Sequence, residues 1–406
     1  MTYSEVLEYL YSKLPMYQRS GAVAYKKDLS NTVALLNALD NPHKNFKSIH
    51  IAGTNGKGTS AHGIASILQL AGYKTGLYTS PHLKDYTERI RIDGKAIDKA
   101  FVVNFVASIK ETIESIEPSF FEVTVAMAFS YFSEEKVDIA VIETGLGGRL
   151  DSTNVITPEV SLITNIGLDH TDLLGDTLEK IATEKAGIIK PGVPVVIGEK
   201  QEGIQPIFER KASESNTAFI QAENMDWQPS NPYAPWYVKK NYNGIYACIK
   251  MLQQRGWKIS DQCIDEGVER MNELTGLKGR FQVLDEQPLI VADVSHNAEG
   301  LAMLFEQVAA INKGKLYVVF GTVKEKPLSP LFKAMPKDAT VFWTQSSVPR
   351  SLKVEELAIQ GIMHGIQGNC CKDVNEAINE AKMISNPSDT IVVTGSTFVV
   401  AEIDDL

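Results

Sequence analysis

The segment that organises this sequence reads Ser48-Ile49-His50-Ile51-Ala52-Gly53-Thr54-Asn55-Gly56-Lys57-Gly58-Thr59-Ser60. Its first five residues are typical of a buried strand, and residues 60–71 repeat apolar side chains at the spacing of a helix face. A glycine-rich turn from a strand into a helix brings backbone N–H groups and the positive end of the helix dipole close to phosphate oxygens. The segment therefore predicts a phosphate-binding loop.

The side chains of this loop suit a nucleoside triphosphate. We expect Lys57 to reach the β- and γ-phosphates, and the hydroxyl of Thr59 or Ser60 to bind phosphate or Mg²⁺. The loop departs from the GxxxxGK[ST] pattern, because its leading gap is shorter and Gly58 follows the lysine. A glycine-rich turn without a ligand is the alternative, and the combination of strand, lysine, hydroxyls and helix disfavours it.

Apolar runs of strand length alternate with helical segments along the whole chain. Strands are predicted at residues 137–142, 160–164, 193–197, 289–292, 316–320, 340–343 and 390–393. Helices are predicted at residues 99–115, 178–186, 241–254 and 261–274, with a turn at 231–235. This alternation is typical of βαβ units and mostly parallel sheets. Gly276 and Gly279 interrupt it, so we predict an α/β P-loop ATPase-type domain at residues 1–275 and a smaller Rossmann-like domain at 280–406.

Composition excludes several classes of protein. The 406 residues include 40 Lys and Arg against 50 Asp and Glu, a net charge of −10 that disfavours a general nucleic-acid binder. The four cysteines form no CxxC pair, which disfavours a zinc site and is typical of a reducing cytoplasm. The first residues lack the pattern of a signal peptide, and no apolar run reaches about 18 residues. We therefore expect a cytoplasmic protein without a membrane partner.

A carboxylate ends the strand predicted at residues 137–142. Glu143 lies there, ahead of a glycine-rich segment that includes Gly145, Gly147 and Gly148. In parallel sheets, ligands bind beyond the carboxyl ends of the strands, so Glu143 could hold Mg²⁺ beside nucleotide phosphates. An acid that caps the following turn is the alternative.

Two further residues could take part in chemistry, and each has a plain structural alternative. His170 follows the strand at 160–164 and could be a metal ligand, a general base or an ordinary loop histidine. Lys185 ends a predicted helix, where a solvated lysine favoured by the helix dipole is common.

Taken together, the motifs resemble those of the folylpolyglutamate synthase/dihydrofolate synthase family of the Mur ligase superfamily. The resemblance runs from about Leu14 to the carboxyl terminus. After GTNGKGT at 53–59, it rests on TSPHL at 79–83, FEVT at 121–124, ETGLGGRLDSTN at 143–154, LDH at 168–170 and EKAG at 184–187. The TSPHL and ETGLGGRLDSTN segments separate the folate branch from the cell-wall branch.

The resemblance implies an ATP-dependent amide ligase of folate biosynthesis and polyglutamylation. ATP would phosphorylate a carboxylate of the pterin substrate, and the amine of L-glutamate would attack the resulting acyl phosphate. The acceptor would be tetrahydrofolate, a folylpolyglutamate, dihydropteroate or several of these. Charge on the transferred phosphoryl group requires a positioned cation such as Lys57 and bound Mg²⁺. Family members are usually monomers, and the expected partners are small molecules only.

The resemblance also implies the residues of the amino-terminal site. The ATP-binding loop would comprise Gly53, Thr54, Asn55, Gly56, Lys57, Gly58, Thr59 and Ser60. The pterin site would include Ser80, His82, Phe121, Glu122 and Asp151. Ser80, Glu143 and His170 would bind Mg²⁺, and Lys185 would be carbamoylated and help to hold a second Mg²⁺. Lys57, His170, Lys185 and His296 would form the catalytic set.

In the second domain, the segment Asp293-Val294-Ser295-His296-Asn297 resembles the family's D-x-A-H-N element. The resemblance implies that Asp293 accepts from the ATP ribose and that His296 lies near the γ-phosphate. Arg280 would meet phosphates and Asn241 would meet adenine. The sequence departs from the family pattern at Ser295, usually alanine, and at Tyr237-Val238, where His-Gln often precedes Asn241. The alternatives are a helix-capping acid for Asp293 and a surface cation for Arg280.

Two other functions compete with this interpretation. A cell-wall ligase acting on a UDP-muramyl peptide would need a further amino-terminal domain, and about 50 residues before the loop are few for one. A nucleotide-dependent switch would need no second nucleotide-facing domain, and a guanine-reading NKxD motif is absent.

Overall fold

The computed structural model of the protein describes residues 1–15, 28–225, 227 and 234–406. They form two compact units. The first comprises Met1–Ala234 and Val238–Leu277, and the second comprises Pro235–Tyr237 and Lys278–Leu406. Most of the turn predicted at 231–235 lies outside the described residues.

The described part of the first unit contains an eight-stranded sheet. In chain order its strands are β1 (Lys47–Ala52), β2 (Thr75–Tyr78), β3 (Ile90–Ile92), β4 (Lys95–Ala96), β5 (Ile139–Glu143), β6 (Val160–Ile163), β7 (Val195–Ile197) and β8 (Phe219–Gln221). Their spatial order is β4-β3-β2-β5-β1-β6-β7-β8. Only the pairs β2/β3 and β3/β4 are antiparallel, which confirms the mostly parallel sheet.

Helices surround this sheet. They are α1 (Tyr3–Lys13), α2 (Ser30–Ala38), α3 (Lys57–Leu70), α4 (Lys99–Ser108), α5 (Lys110–Ile116), α6 (Phe120–Glu134), α7 (Thr171–Leu174), α8 (Leu178–Lys185), α9 (Gln205–Glu214), α10 (Trp236–Lys239), α11 (Tyr242–Gln254), α12 (Asp261–Glu269) and α13 (Met271–Thr275). Short 3-10 helices lie at Pro42–Lys44, Tyr86–Arg89, Ser152–Val155, Ala186–Ile188 and Ala222–Asn224. Because α10 spans the division between the units, its first two residues belong to the second.

The described part of the second unit contains a six-stranded sheet. Its strands are β9 (Gln282–Glu286), β10 (Leu289–Ala292), β11 (Leu316–Phe320), β12 (Thr340–Trp343), β13 (Gly368–Cys370) and β14 (Thr390–Thr394). Their order is β13-β12-β11-β14-β10-β9, and only β9 runs antiparallel to its neighbour. The helices are α14 (Ala298–Ile311), α15 (Leu328–Ala334), α16 (Val354–Met363), α17 (Val374–Ile384) and α18 (Thr397–Ala401).

Buried strands hold each unit together. Every residue of β5, β6 and β11 is buried, which explains why these strands appear in the sequence as continuous apolar runs rather than alternating ones. A large cluster of buried apolar side chains joins α1, α4 and α6 to the β2–β3 side of the first sheet, and a second cluster joins α14, α15 and α16 to the second sheet. The parallel pairing of β1 with β5 and with β6 sets the carboxyl ends of these three strands side by side.

The structure differs from the expected helices in three places. The helix expected at 60–71 begins at Lys57, because the glycine-rich loop itself forms the first turn, which an apolar pattern cannot reveal. The helix expected at 99–115 is two helices that meet at Ile109, and that expected at 261–274 is two helices that meet at Arg270. The periodicity continues across both breaks, so the sequence pattern does not register them.

Candidate active site

The phosphate loop begins at the carboxyl end of β1, the strand that lies between β5 and β6. Gly56 is the N-cap of α3 and has a φ of 84°, in the left-handed region that glycine adopts without strain. A Cβ at Gly53 would lie 1.8 Å from the Thr164 hydroxyl oxygen, and one at Gly56 would lie 1.9 Å from Oδ1 of Asn241. The two glycines are therefore required for the close packing of this loop.

The loop after β6 holds the phosphate loop in place. Asn165 accepts hydrogen bonds from the N–H groups of Thr54, at 2.9 Å to its carbonyl oxygen, and of Asn55, at 2.8 Å to its Oδ1. The Thr164 hydroxyl donates to the carbonyl oxygen of Asn55 at 2.6 Å. Neither residue was predicted to belong to the site, although Thr164 ends a predicted buried strand and Asn165 follows it directly.

Two lysine side chains converge on one carbonyl oxygen of the loop. The Nζ of Lys57 donates to the carbonyl oxygens of Gly53 at 3.0 Å and of Thr54 at 3.3 Å. The Nζ of Lys185 donates to the same Gly53 oxygen at 2.7 Å. The end of α8 is thereby attached to the beginning of the phosphate loop.

Burial changes the proton affinity of Lys185. Only 4% of this residue is exposed, and burial together with the neighbouring Lys57 cation lowers its pKa well below the ordinary value, against the opposing effect of Asp169 and Asp151. The neutral amine is the form that reacts with CO₂ to give a carbamate. Burial thus favours the neutral amine of Lys185 over the ammonium ion.

The glycines after β5 allow that loop to pack against the end of α8. A Cβ at Gly148 would lie 2.9 Å and 3.0 Å from the carbonyl oxygens of Glu184 and Lys185. A Cβ at Gly187 would lie 2.4 Å from Cα of Arg149, whose N–H donates to the Glu184 carbonyl at 2.8 Å. The ETGLGGRLDSTN and EKAG motifs therefore form one packed unit that positions Lys185.

Glu143 and Ser80 meet at the ends of β5 and β2. Glu143 is 4% exposed, and its Oε2 accepts a hydrogen bond of 3.2 Å from the Ser80 N–H. In the sheet register Glu143 lies opposite Ile51, two residues before the phosphate loop. His170 is the N-cap residue of the short helix α7 and has a φ of 50°, and its Nε2 lies 3.9 Å from Oδ2 of Asp169.

Within the described ranges, no cluster of three or more His, Cys, Asp or Glu side chains could hold a metal ion. The predicted metal set has only two such residues, Glu143 and His170, because its other donors are a hydroxyl and a modified lysine.

His82 is held as a neutral base. Its Nδ1 accepts a hydrogen bond of 2.7 Å from Nε of the buried Arg89, whose guanidinium lies over the Phe120 ring. Burial, and then the charge of Arg89, lower the pKa of His82 to about 3. The half-buried ring of Phe121 lies 6.2 Å from that of Tyr78, and Phe121 occupies the space that a Cβ at Gly145 would need. His82 and Phe121, which are both predicted to contact the pterin, thus lie near the end of β2.

Glu122 and Asp151 already have partners within the chain. The Glu122 carboxylate caps α6 by accepting from the Ser119 N–H at 2.6 Å, and it also accepts from the Thr32 hydroxyl at 3.4 Å. Asp151 accepts from the N–H groups of Leu146 and Thr153 and from the Thr153 hydroxyl. Both carboxylates are buried, so these contacts organise α6 and the loop after β5.

The second unit places another group of predicted residues around Asp293, at the end of β10. Its carboxylate accepts from the Tyr237 hydroxyl at 2.6 Å and from the Phe281 N–H at 2.7 Å. It also accepts from the Ser295 N–H and hydroxyl, at 2.9 Å and 2.6 Å. The Arg280 guanidinium donates to the Gly279 carbonyl, and Nδ1 of His296 lies 3.0 Å from the Val294 carbonyl oxygen.

Among the described residues, no helix has the length and hydrophobicity that a membrane crossing requires.

Two family models match the chain. Residues 51–228 match the Mur ligase middle domain, and residues 279–397 match the Mur ligase glutamate ligase domain. The folylpolyglutamate synthase of Lacticaseibacillus casei is 30% identical over 99% of this chain and 98% of its own. The dihydrofolate synthase/folylpolyglutamate synthase of Bacillus subtilis is 31% identical over 93% of this chain and 94% of its own.

A solved structure gives the same result. The crystal structure of a bifunctional folylpolyglutamate synthase/dihydrofolate synthase with Mn, AMPPNP and L-glutamate bound has a TM-score of 0.85 at 29% identity. The alignment covers 99% of this chain and 97% of that one. These matches confirm the two-domain α/β fold and the class of enzyme predicted from the motifs, an ATP-dependent glutamate ligase of folate metabolism. The chain belongs to the folylpolyglutamate synthase/dihydrofolate synthase family of Mur ligases.

Proposed function

We propose that the protein joins L-glutamate to tetrahydrofolate or a folylpolyglutamate, and also to dihydropteroate to make dihydrofolate. The observation that carries this proposal is the convergence of Lys57 and Lys185 on the Gly53 carbonyl oxygen. One lysine is partly exposed beside the phosphate loop, and the other is buried with a lowered pKa. A loop that only bound a nucleotide would need the first lysine but not the second.

The residues present fit a nucleotide phosphate. The Ser60 hydroxyl is buried and has no hydrogen-bond partner among the described residues, at the start of the helix that follows the loop. Buried hydroxyls are normally paired, so this one is suited to a phosphate oxygen or a metal ion. Gly53 and Gly56 keep the backbone open where a side chain would collide with Thr164 and Asn241. The backbone N–H groups of Lys57 to Thr59, in the first turn of α3, would hold the phosphates, because those of Thr54, Asn55 and Ser60 already donate within the chain.

The residues also fit Mg²⁺. Carboxylate and hydroxyl oxygens are the donors that this ion prefers, and Glu143 and Ser80 carry them. The backbone N–H of Ser80 donates to the Glu143 carboxylate, so the two residues are neighbours. Glu143, Ser80 and His170 would hold one ion, and the carbamate of Lys185 would help to hold a second. Bound Mg²⁺ would offset the negative charge of the phosphoryl oxygens.

The pterin carboxylate would take the γ-phosphoryl group of ATP, giving an acyl phosphate and ADP. Phosphorylation supplies the leaving group that a carboxylate lacks. The amine of L-glutamate would then attack the carbonyl carbon, and phosphate would leave with formation of the amide bond. Lys57 stabilises charge on the transferred group, because its ammonium is positioned at the loop before the reaction begins.

The pterin would contact Ser80, His82, Phe121, Glu122 and Asp151. His82 can offer a neutral imidazole to this substrate, because Arg89 and burial hold it deprotonated. The carboxylates of Glu122 and Asp151 contribute to this site by holding the start of α6 and the loop after β5 in place, since their oxygens accept hydrogen bonds from within the chain.

The nucleotide would also contact residues from both predicted domains. Asn241, whose Oδ1 lies against Gly56, would meet adenine. Asp293 would accept from the ribose, Arg280 would meet phosphates and His296 would lie near the γ-phosphate. Residues 1–275 would therefore hold ATP and folate, and residues 280–406 would form the glutamate ligase domain. We also propose that the enzyme acts as a monomer in the cytoplasm, in keeping with four free cysteines.

Phosphate release tests this proposal. Purified protein with ATP and Mg²⁺ should release phosphate only when both L-glutamate and an acceptor are present, with dihydropteroate and tetrahydrofolate tried in turn. Mass spectrometry should show an acceptor heavier by one glutamyl residue. Phosphate release that ignores glutamate, or that needs no acceptor, would contradict the assignment.

A further inference from the structure

The carboxylate of Asp293 is saturated by the chain itself. It is 2% exposed and accepts four hydrogen bonds from the described residues. Oδ2 accepts from the Tyr237 hydroxyl and the Phe281 N–H, and Oδ1 accepts from the N–H and the hydroxyl of Ser295. An ionised carboxylate offers about four lone-pair positions. A ribose hydroxyl can therefore bind Asp293 only by replacing one of these donors.

The four donors are not equally replaceable. The N–H groups of Phe281 and Ser295 are backbone groups, and moving the first would disturb a residue held at a φ of 47°. The other two donors are side-chain hydroxyls. The Ser295 hydroxyl can leave by rotation about its Cα–Cβ bond, and the Tyr237 hydroxyl can leave with a movement of its half-buried ring. Tyr237 and Ser295 are thus the groups that would yield to an incoming hydroxyl.

These two hydroxyls lie at the two positions where the sequence departs from the family pattern. Ser295 stands where the D-x-A-H-N element has alanine, which has no hydroxyl, and Tyr237 lies in the segment where His-Gln is frequent. Both departures act on one carboxylate, at 2.6 Å each.

We propose that the hydroxyls of Tyr237 and Ser295 determine nucleotide specificity by competing with a ribose hydroxyl for the Asp293 carboxylate. The inference rests on the proposed contact between Asp293 and the ribose. Exchanging one hydroxyl donor for another changes the free energy of binding little, whereas filling an open position on a carboxylate contributes much more. This enzyme therefore discriminates weakly between ribonucleotides and deoxyribonucleotides, and removing the two hydroxyls increases the discrimination.

Equilibrium binding tests the competition without turnover. Calorimetry should give the Kd values of ADP, 2′-deoxyADP and 3′-deoxyADP for the parent, Tyr237→Phe, Ser295→Ala, the double variant and Asp293→Asn. Tyr317→Phe and Ser346→Ala are matched controls in the same unit, because the Tyr317 hydroxyl donates to the Ile384 carbonyl and the Ser346 hydroxyl to Ser351. In the parent, we expect loss of either ribose hydroxyl to weaken binding less than about threefold.

In the double variant, one of the two deoxy analogues should bind at least about tenfold more weakly than ADP. The ribose hydroxyl that this analogue lacks is the one that, in ADP, fills the open acceptor position on Asp293. Each single variant should give part of this effect, and Ser295→Ala alone decides the matter if Tyr237→Phe lowers the melting temperature severely. Asp293→Asn and the two controls should keep the small parental ratio.

Two results would overturn the inference, and only the second would also remove the assignment of Asp293 to the ribose. Strong parental discrimination that disappears in Asp293→Asn but is unchanged in Tyr237→Phe and Ser295→Ala would show that Asp293 binds the ribose without competition. A Kd ratio that is identical in every variant would show that Asp293 does not meet the ribose, and would remove that residue assignment as well. In both cases the ligase reaction is judged separately, by its glutamate-dependent phosphate release.

Discussion

The Nζ of Lys185 donates a hydrogen bond of 2.7 Å to the carbonyl oxygen of Gly53, although 132 residues separate them in the chain. Lys185 ends α8, and Gly53 is the first residue after β1. A change in the charge or covalent state of this lysine therefore acts directly on the phosphate loop.

Lys57→Ala should remove nearly all ligation activity while the fold remains intact. Removing one positioned charge-stabilising group typically lowers kcat by about 10²- to 10³-fold. Lys57 is only partly buried, and its hydrogen bonds go to two loop carbonyls, so the melting temperature should change little. Lys95→Ala, at an exposed position, is the control. Near-normal turnover in a folded Lys57→Ala protein would refute the loop assignment.

Glu143→Gln should shift the Mg²⁺ dependence of the reaction to higher concentration. The amide oxygen can still accept from the Ser80 N–H, so the local structure is kept while the negative charge is lost. A Mg²⁺ titration of initial rates measures the midpoint, with the exposed Glu111→Gln variant as control. An unchanged midpoint would mean that Glu143 has a structural role only.

Lys185→Ala should lose activity and recover part of it when short-chain carboxylic acids are added, because such acids can replace the carbamate. The parent enzyme should also lose activity when CO₂ is depleted and regain it with bicarbonate. Lys180→Ala, on the exposed side of the same helix, should show neither effect. Full activity of Lys185→Ala without any additive would exclude the carbamate.

Lys185 should also make stability depend on pH in CO₂-free buffer. The unfolded chain keeps this amine near its usual pKa of about 10.4, whereas the folded pKa lies well below. Between the two values the unfolded state binds more protons, so the free energy of unfolding rises with pH, by up to about 1.4 kcal/mol per unit. Below the folded pKa the destabilisation is fully present.

Urea unfolding of the parent and Lys185→Met between pH 6.5 and 9.5 measures this effect. The stability of the parent relative to the variant should be higher at pH 9.5 than at pH 6.5. Parallel curves would show that the lysine is solvated in the folded state.

Gly148→Ala should reduce both activity and thermal stability. The new Cβ would press on the carbonyl oxygens of Glu184 and Lys185 at 2.9 Å and 3.0 Å, and these backbone atoms cannot move without displacing the end of α8. Thermal melting and ligation rates measure the effect, and Gly203→Ala, where a Cβ meets nothing within 4 Å, is the control. Equal behaviour of the two variants would contradict the close packing of Gly148 against Glu184 and Lys185.

Several features of the site are local and were therefore predictable from sequence. The left-handed φ of Gly56 is one that glycine tolerates, and the strand and helix on either side position the loop. Glu143 ends an apolar run. Each of these signals is contained in a short segment of sequence. The strands at 289–292, 316–320 and 340–343 were predicted with their observed bounds, because buried strands in parallel sheets are continuous apolar runs.

The amino-acid sequence by itself thus determined the alternating α/β pattern, the phosphate loop and the family motifs. Only the tertiary structure decided which side chains meet. The strand order places β1 between β5 and β6, and this brings Asn165 to Asn55 and Lys185 to Gly53. The burial that lowers the Lys185 pKa, and the four hydrogen bonds at Asp293, likewise depend on segments that are distant in the chain. Such contacts follow from the packing of whole sheets and helices, which no local pattern of residues specifies.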